Sequence, residues 1–294
     1  MRSEFQYRRP ASIDEAVAMK ADLGTTAMYW AGGTDMVLHW MRSIHSPELC
    51  IDITRIEGLR GIEIDRDSIR IGAMTSLDEL DRSADRHCLL NTLSDITKLM
   101  CTPQTRTIAT VGGNLCNASP AADLSPAFVA MNADAVLAGP KGRRRVRMEE
   151  FFLGVNKTSL SGGELLEEIR IPLNPDLKVV ASYRRIDRTV VDIALVNASS
   201  CISVDSDGVI NGCGIALGAV APVILRVSDA ETLLLGLSVR ELGRDREELQ
   251  KVEELSAIAA KPISDVRASA EYRRQMVKVM VRRTLQDCAI QLKA

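Results

Sequence analysis

The sequence predicts an α+β fold in two parts, an N-terminal domain over 1–175 and a C-terminal lobe over 176–294. Three observations carry this. Helical and strand patterns alternate at short spacing up to about residue 57, as in a small α/β unit. Strand pairs and helices then intermix over 58–175, a larger α+β part. Beyond the turn residues Asn174-Pro175-Asp176 the order becomes strands first and helices after.

Each element has a local reason. Ser12-Ile13-Asp14-Glu15 is a capping-box sequence, and Gly24 follows the helix that it opens. Ala27 to Ala31 is a short apolar strand running into Gly32-Gly33, after which Thr34 or Asp35 can cap a second helix. Leu49 to Ile53 returns as a strand. A hairpin pairs Gly61–Ile64 with Ser68–Gly72, and Ser76-Leu77-Asp78-Glu79 caps the next helix. A helical stretch runs from about Arg86 to Met100, followed by a long loop-rich segment from Thr102 to Leu124. Ala135–Ala138 and Arg145–Met148 read as strands joined by a Gly139-Pro140-Lys141-Gly142 turn, and Glu164–Pro172 as another. In the C-terminal lobe, Tyr183–Ile186, Val196–Val204 and Val209–Gly218 read as antiparallel strands with a turn at Asp207-Gly208. Helices follow near Ser228–Leu235, Asp245–Ala259 and Ala268–Lys293.

Composition narrows the function classes. The formal net charge is −2 over 294 residues, which gives no reason to expect a nucleic-acid partner. No apolar run is long enough for a membrane span, and Met1-Arg2-Ser3-Glu4-Phe5 lacks an apolar leader core. A cytoplasmic location is expected. The seven cysteines form no C-x-x-C pair and the three histidines, His39, His45 and His87, lack metal-ligand spacing, so no metal site is expected on this chain. Lys141 to Arg147 is a basic cluster, read as a solvated hairpin or as a docking face for an acidic partner.

Two stretches carry the chemistry. In Ala31-Gly32-Gly33-Thr34-Asp35 a strand passes through two glycines into a helix start, turning several backbone N–H groups onto one concave surface. Such a surface binds phosphate without a basic side chain, because no Cβ holds the anion away from the amides. Alone, the stretch reads first as an ordinary strand–turn–helix junction, and it is not a G-x-G-x-x-G fingerprint. The second stretch runs from Gln104 through Thr110-Val111-Gly112-Gly113-Asn114 to Asp123. It is too polar for core and too apolar for a linker, which is the character of a structured functional loop or of a packed Ω-loop without ligand. Its hydroxyls and amides suit phosphates, and the Asp123 carboxylate suits ribose hydroxyls.

Taken together, A-G-G-T-D and T-V-G-G-N-x-x-N-A-S-P-x-x-D, separated by about eighty residues, resemble the FAD-binding medium subunits of the molybdenum hydroxylases of xanthine dehydrogenase type. The resemblance covers nearly the whole chain. It implies a two-part FAD-binding domain (1–57 and 58–175) followed by a C-terminal flavoprotein lobe with an antiparallel sheet and helices. It implies that Trp30, Ala31, Gly32, Gly33, Thr34, Asp35, Met36 and Val37 wrap the pyrophosphate, that Thr110, Gly113 and Asn114 meet the diphosphate and ribityl side, and that Asp123 meets a ribose. Leu166 matches a position that meets FAD through its backbone, and Arg184 one that touches the flavin from the C-terminal lobe. No catalytic acid or base is assigned, since electron transfer needs none. The implied partners are a large subunit with the molybdenum cofactor and a small subunit with two [2Fe–2S] clusters, as a dimer of heterotrimers. Electrons would leave to NAD or another acceptor.

The chain also departs from the family. Cys101-Thr102-Pro103-Gln104-Thr105-Arg106-Thr107 replaces the usual A-G-x-Q-I-R-N. Arg188-Thr189-Val190-Val191 stands where an acidic stretch bears on the NAD site in animal members, which weighs against NAD as acceptor. The alternatives are a self-sufficient FAD oxidoreductase acting on its own substrate, and a nucleotide-binding regulatory module.

Overall fold

The computed structural model describes residues 4–189, 191–243 and 246–293. Met1, Arg2, Ser3, Val190 and Asp245, which expectations above touch, lie outside the described residues.

The first unit is a three-stranded parallel sheet, with Leu49–Asp52 between Gln6–Arg8 and Ala27–Trp30. All four residues of the central strand are buried, as expected where helices cover parallel strands. The helix Ile13–Leu23 starts where Ser12 accepts from the Glu15 amide at 3.2 Å. The capping box is only half made, because the Glu15 carboxylate turns instead to the Ala11 amide at 2.7 Å. Gly24, at φ 57°, ends the helix in the left-handed region. The second helix, Met36–Met41, begins after Asp35 as expected, but no side chain caps it. The Val37 amide donates to the Gly33 carbonyl at 3.0 Å, so the amides left available to a ligand are those that precede it.

The larger part is built on a five-stranded antiparallel sheet in the order Ile62–Ile64, Ser68–Gly72, Leu165–Pro172, Asp134–Gly139, Gly142–Arg147. Helix Leu77–Asp81 carries a complete Ser76–Glu79 capping box. His87 caps helix Cys88–Leu99, its Nδ1 accepting from the Leu89 amide at 3.1 Å. The segment Thr102–Leu124, read from sequence as loop, instead holds the helices Pro103–Arg106 and Val111–Asn117, and a wholly buried helix, Leu124–Ala130, follows it. Two glycines and a proline make these helices weak on intrinsic propensity. Local caps at Thr102 and Thr110 and tertiary packing supply what propensity lacks.

The basic hairpin is paired within its own sheet: Arg143 with Glu167 at 2.6 Å, Arg144 with Glu164 at 2.6 Å, and Arg147 with the Asn132 carbonyl at 3.1 Å. This supports the solvated-hairpin reading over a free docking patch.

The C-terminal sheet runs Lys178–Ile186, Val196–Val204, Ile210–Gly218, Leu225–Arg226, all antiparallel. At its hairpin, Asp205 Oδ1 accepts from the Asp207 and Val209 amides, both at 3.0 Å, and Gly208 takes φ 76°. One face of this sheet joins the core of the N-terminal part, where Ala181, Cys201 and Ala216 pack with Leu93 and Phe128. The other face packs on the helices Glu247–Ala259 and Ala270–Lys293. At Gly214 the two parts approach closely, since a Cβ there would lie 2.0 Å from the Ala130 carbonyl oxygen.

Two outcomes follow. Gly214→Ala must push helix and sheet apart, an overpacking cost of about 1–3 kcal/mol; urea denaturation should give a lower midpoint, and an unchanged one would show that the contact yields freely. Glu164, half-buried and doubly bonded by Arg144, is held from 4.5 down to about 2, chiefly by that guanidinium. A carboxylate depressed in the folded state contributes stability that is complete above its unfolded value and lost as pH falls through its folded one. Glu164→Gln should therefore lose less stability than the parent between pH 4.5 and about 2. Parallel acid profiles would rule this out.

Candidate functional site

A cavity of about 350 Å³ opens between the small unit and the larger part. Its walls are Met28 and Tyr29 at the end of one strand, the turn Ala31–Met36, Met100-Cys101, the segment Ala109–Asn117, and Glu164–Leu166 at the start of another strand. Both glycine-rich stretches thus meet on one surface.

The glycines divide into two kinds. Gly32 and Gly112 exist for backbone packing. A Cβ on Gly32 would sit 2.0 Å from the Ile108 carbonyl oxygen, and one on Gly112 would sit 2.7 Å from Ala73. Gly112 donates to the Ala73 carbonyl at 2.8 Å, while Val111 donates to Thr75 at 3.0 Å and Leu77 to Ala109 at 2.9 Å. These bonds strap the second stretch to the segment Ala73–Leu77 that follows strand Ser68–Gly72. Gly33 and Gly113 shape the cavity. Gly33 takes φ 71° with the Trp30 indole directly beneath it, and Gly113 leans on Thr110, whose hydroxyl caps helix Val111–Asn117 by accepting from the Gly113 amide at 3.0 Å.

Two polar features have no partner among the described residues. Asn114 Oδ1 is buried and accepts no hydrogen bond from any described residue. Among the described residues, no backbone carbonyl accepts from the amides of Gly32, Gly33, Thr34 or Asp35. Buried polar groups are nearly always satisfied, so unsatisfied ones lining a cavity point to a ligand. The described lining holds no lysine or arginine. Of its thiols, burial pushes Cys116 up to about 12, and Cys101 is raised by burial and by the Asp35 and Asp123 charges. Neither is poised as a nucleophile.

Of the residues expected at the site, Ala31 through Met36, Thr110, Gly113, Asn114 and Leu166 line the cavity. Leu166 sits beside a bulge in its strand, between its pairing with Leu137 and that of Glu168 with Val136. Trp30 lies behind Gly33, and Val37 belongs to the helix wall without reaching the lining. Asp123 and Arg184 are elsewhere. Asp123 accepts from the Tyr183 hydroxyl and pairs with Arg185 at 3.1 Å, while Arg184 makes a two-bond ion pair with Asp287 at 2.7 and 3.0 Å. Burial raises Asp123, opposed by Tyr183 and Arg185. The segment expected to bear on an acceptor site pairs Arg188 with Asp192 at 2.9 Å. Sequence reading missed Tyr29, His39, His45, Met74, Met100, Asn156 and Glu164 as lining residues. Only His39, three residues beyond Met36 on one helix face, carried a local signal.

Comparison with known proteins agrees with this geometry. The family described as FAD binding domain in molybdopterin dehydrogenase matches residues 3–174, and CO dehydrogenase flavoprotein C-terminal domain matches residues 181–288. The chain is 34% identical to the carbon monoxide dehydrogenase medium chain of Hydrogenophaga pseudoflava over 96% of both chains. It is 28% identical to the xanthine dehydrogenase FAD-binding subunit of Escherichia coli O157:H7, over 96% of this chain and 94% of that one. Among solved structures, a cyanide-inactivated Cu,Mo-CO dehydrogenase chain superposes with a TM-score of 0.90 at 31% identity, covering 99% of both chains. This chain therefore belongs to the FAD-binding medium subunits of the molybdenum hydroxylases, and it is an oxidoreductase subunit.

Proposed function

We propose that this chain is the electron-transfer subunit of a multi-subunit molybdenum hydroxylase. It would hold one FAD in the glycine-lined cavity, receive electrons from [2Fe–2S] clusters on a small partner, and pass them to an external acceptor. The observation that carries the reading is the convergence of both glycine-rich stretches on one cavity where the amides of Gly32 to Asp35 and Asn114 Oδ1 lack partners among the described residues. The medium chains it resembles belong to enzymes named for carbon monoxide, xanthine and 6-hydroxypseudooxynicotine, so a shared FAD subunit is compatible with many substrates. The large partner would carry the molybdenum cofactor and choose the substrate. A dimer of heterotrimers and a cytoplasmic location complete the proposal, the latter supported by seven free thiols.

The residues present fit the cofactor. Amides of Gly32 through Asp35 would donate to the pyrophosphate, with Gly33 supplying the positive φ that the turn takes over the Trp30 ring. Asn114 Oδ1 would accept from a ribityl or ribose hydroxyl, which removes its burial penalty. Met28, Met74, Met100 and Leu166 exclude water along the walls. When bound, FAD supplies uptake of single electrons and release of pairs, so the protein contributes placement and tuning. The Asp123–Tyr183–Arg185 cluster would act from outside the cavity, fixing the C-terminal sheet against the loop that follows helix Val111–Asn117.

The purified full chain should be yellow and release about one flavin per chain in acid; a colourless protein that takes up no added FAD would overturn the reading. Asn114→Ala should weaken FAD affinity up to about tenfold, the worth of one neutral hydrogen bond. The melting temperature of the flavin-free protein should not fall, since an orphaned acceptor is removed. A lower flavin-free melting temperature with unchanged FAD affinity would assign Asn114 a purely structural role.

A further inference from the structure

The cavity proposed for the dinucleotide carries two phosphate charges to neutralise and has no lysine or arginine among its described lining residues. His39 and His45 do line it. His39 shares a helix face with Met36, one turn beyond the open amides of the cradle. The chain then doubles back, the Ile44 amide donating to the His39 carbonyl at 2.9 Å. That reversal brings the His45 ring edge-on to the His39 ring, with centroids 5.1 Å apart and planes at 67°. Two imidazoles from one short element thus face the same cavity, His39 half-buried and His45 exposed at its mouth.

The other titratable groups on the lining are Tyr29 on the neighbouring strand, Asp35 at the helix start, Cys101 before the second stretch, Cys116 on its helix, and Glu164 from the far wall. Burial pushes the Tyr29 hydroxyl and both thiols up, and Arg144 holds Glu164 down, so these four keep their charge near neutrality. Imidazole is the side chain whose ordinary range falls between pH 5 and 8.

We infer that His39 and His45 form a paired cationic contact for the phosphates of the bound dinucleotide, so that flavin affinity rises as pH falls from 8 to 6. The inference rests on the flavin reading above. Protonated imidazoles gain a favourable partner when the phosphates arrive, so binding takes up protons and tightens on the acid side. Backbone amides do not titrate and supply the part of the affinity that is independent of pH.

The test is FAD binding to the flavin-stripped full chain, followed by quenching of flavin fluorescence at constant ionic strength and pH 6, 7 and 8. The parent should bind about three- to tenfold more tightly at pH 6 than at pH 8, the effect of two surface charge pairs gained on binding. His39→Gln/His45→Gln should bind with no such slope and, at pH 6, as weakly as the parent at pH 8. The single variant His45→Gln, altered at an exposed position, should lose part of the slope with an unchanged melting temperature. An equal pH slope in parent and double variant would overturn the inference while leaving the flavin site intact. Absence of FAD binding to the parent at every pH would overturn the flavin reading and the inference with it.

Discussion

The Ile108 carbonyl lies where a Cβ on Gly32 would come within 2.0 Å of it, and Gly112 stands in the same relation to Ala73 at 2.7 Å. Any side chain at either position would force two backbones apart. Everything at the cavity depends on this closeness. It brings the turn after the first sheet against the segment strapped to Ala73–Leu77, and so turns two separate loops into two walls of one cleft. Gly33 and Gly113 serve a different end on the same wall: Gly33 takes a positive φ of 71° with the Trp30 ring against it, and the Gly113 amide is held by the Thr110 hydroxyl.

A second constraint couples the cleft to the rest of the chain. The sheet beginning at Lys178 contributes one face to the core that also holds Leu93 and Phe128, so the two parts fold around shared apolar surface. Across the same seam, Tyr183 and Arg185 both bind the Asp123 carboxylate, and Arg185 also pairs with Asp187 at 2.7 Å. A buried carboxylate with two such partners would be costly to leave with only one. Asp123 is therefore a fixed point of the seam, and its place in the polar stretch is explained by that role without a direct contact to the cavity.

Much of the architecture was legible locally. Ser12, Ser76 and Gly24 mark helix ends through hydrogen-bond chemistry that acts over three or four residues, and the Asp207-Gly208 turn fixes its hairpin in the same way. The helices Pro103–Arg106, Val111–Asn117 and Leu124–Ala130 were not, because Gly112, Gly113 and three prolines disguise the stretch as loop, and Val111–Asn117 is fixed only once Ala73 and Thr75 accept the amides of Gly112 and Val111. His87 was equally opaque: a histidine rarely caps a helix, and only the geometry of its Nδ1 reveals the role.

The sequence by itself determined that this chain carries two glycine-rich stretches of one family, in order and at their spacing, because positions with no room for a Cβ are encoded directly as glycine. The tertiary structure alone decided which residues line the cavity. It turned Arg184 to Asp287 and Asp123 to Tyr183 and Arg185, and it brought His39, His45, Asn156 and Glu164 to the cleft from segments with no shared motif. The direction of a side chain depends on what packs beside it, and those neighbours are distant in the sequence.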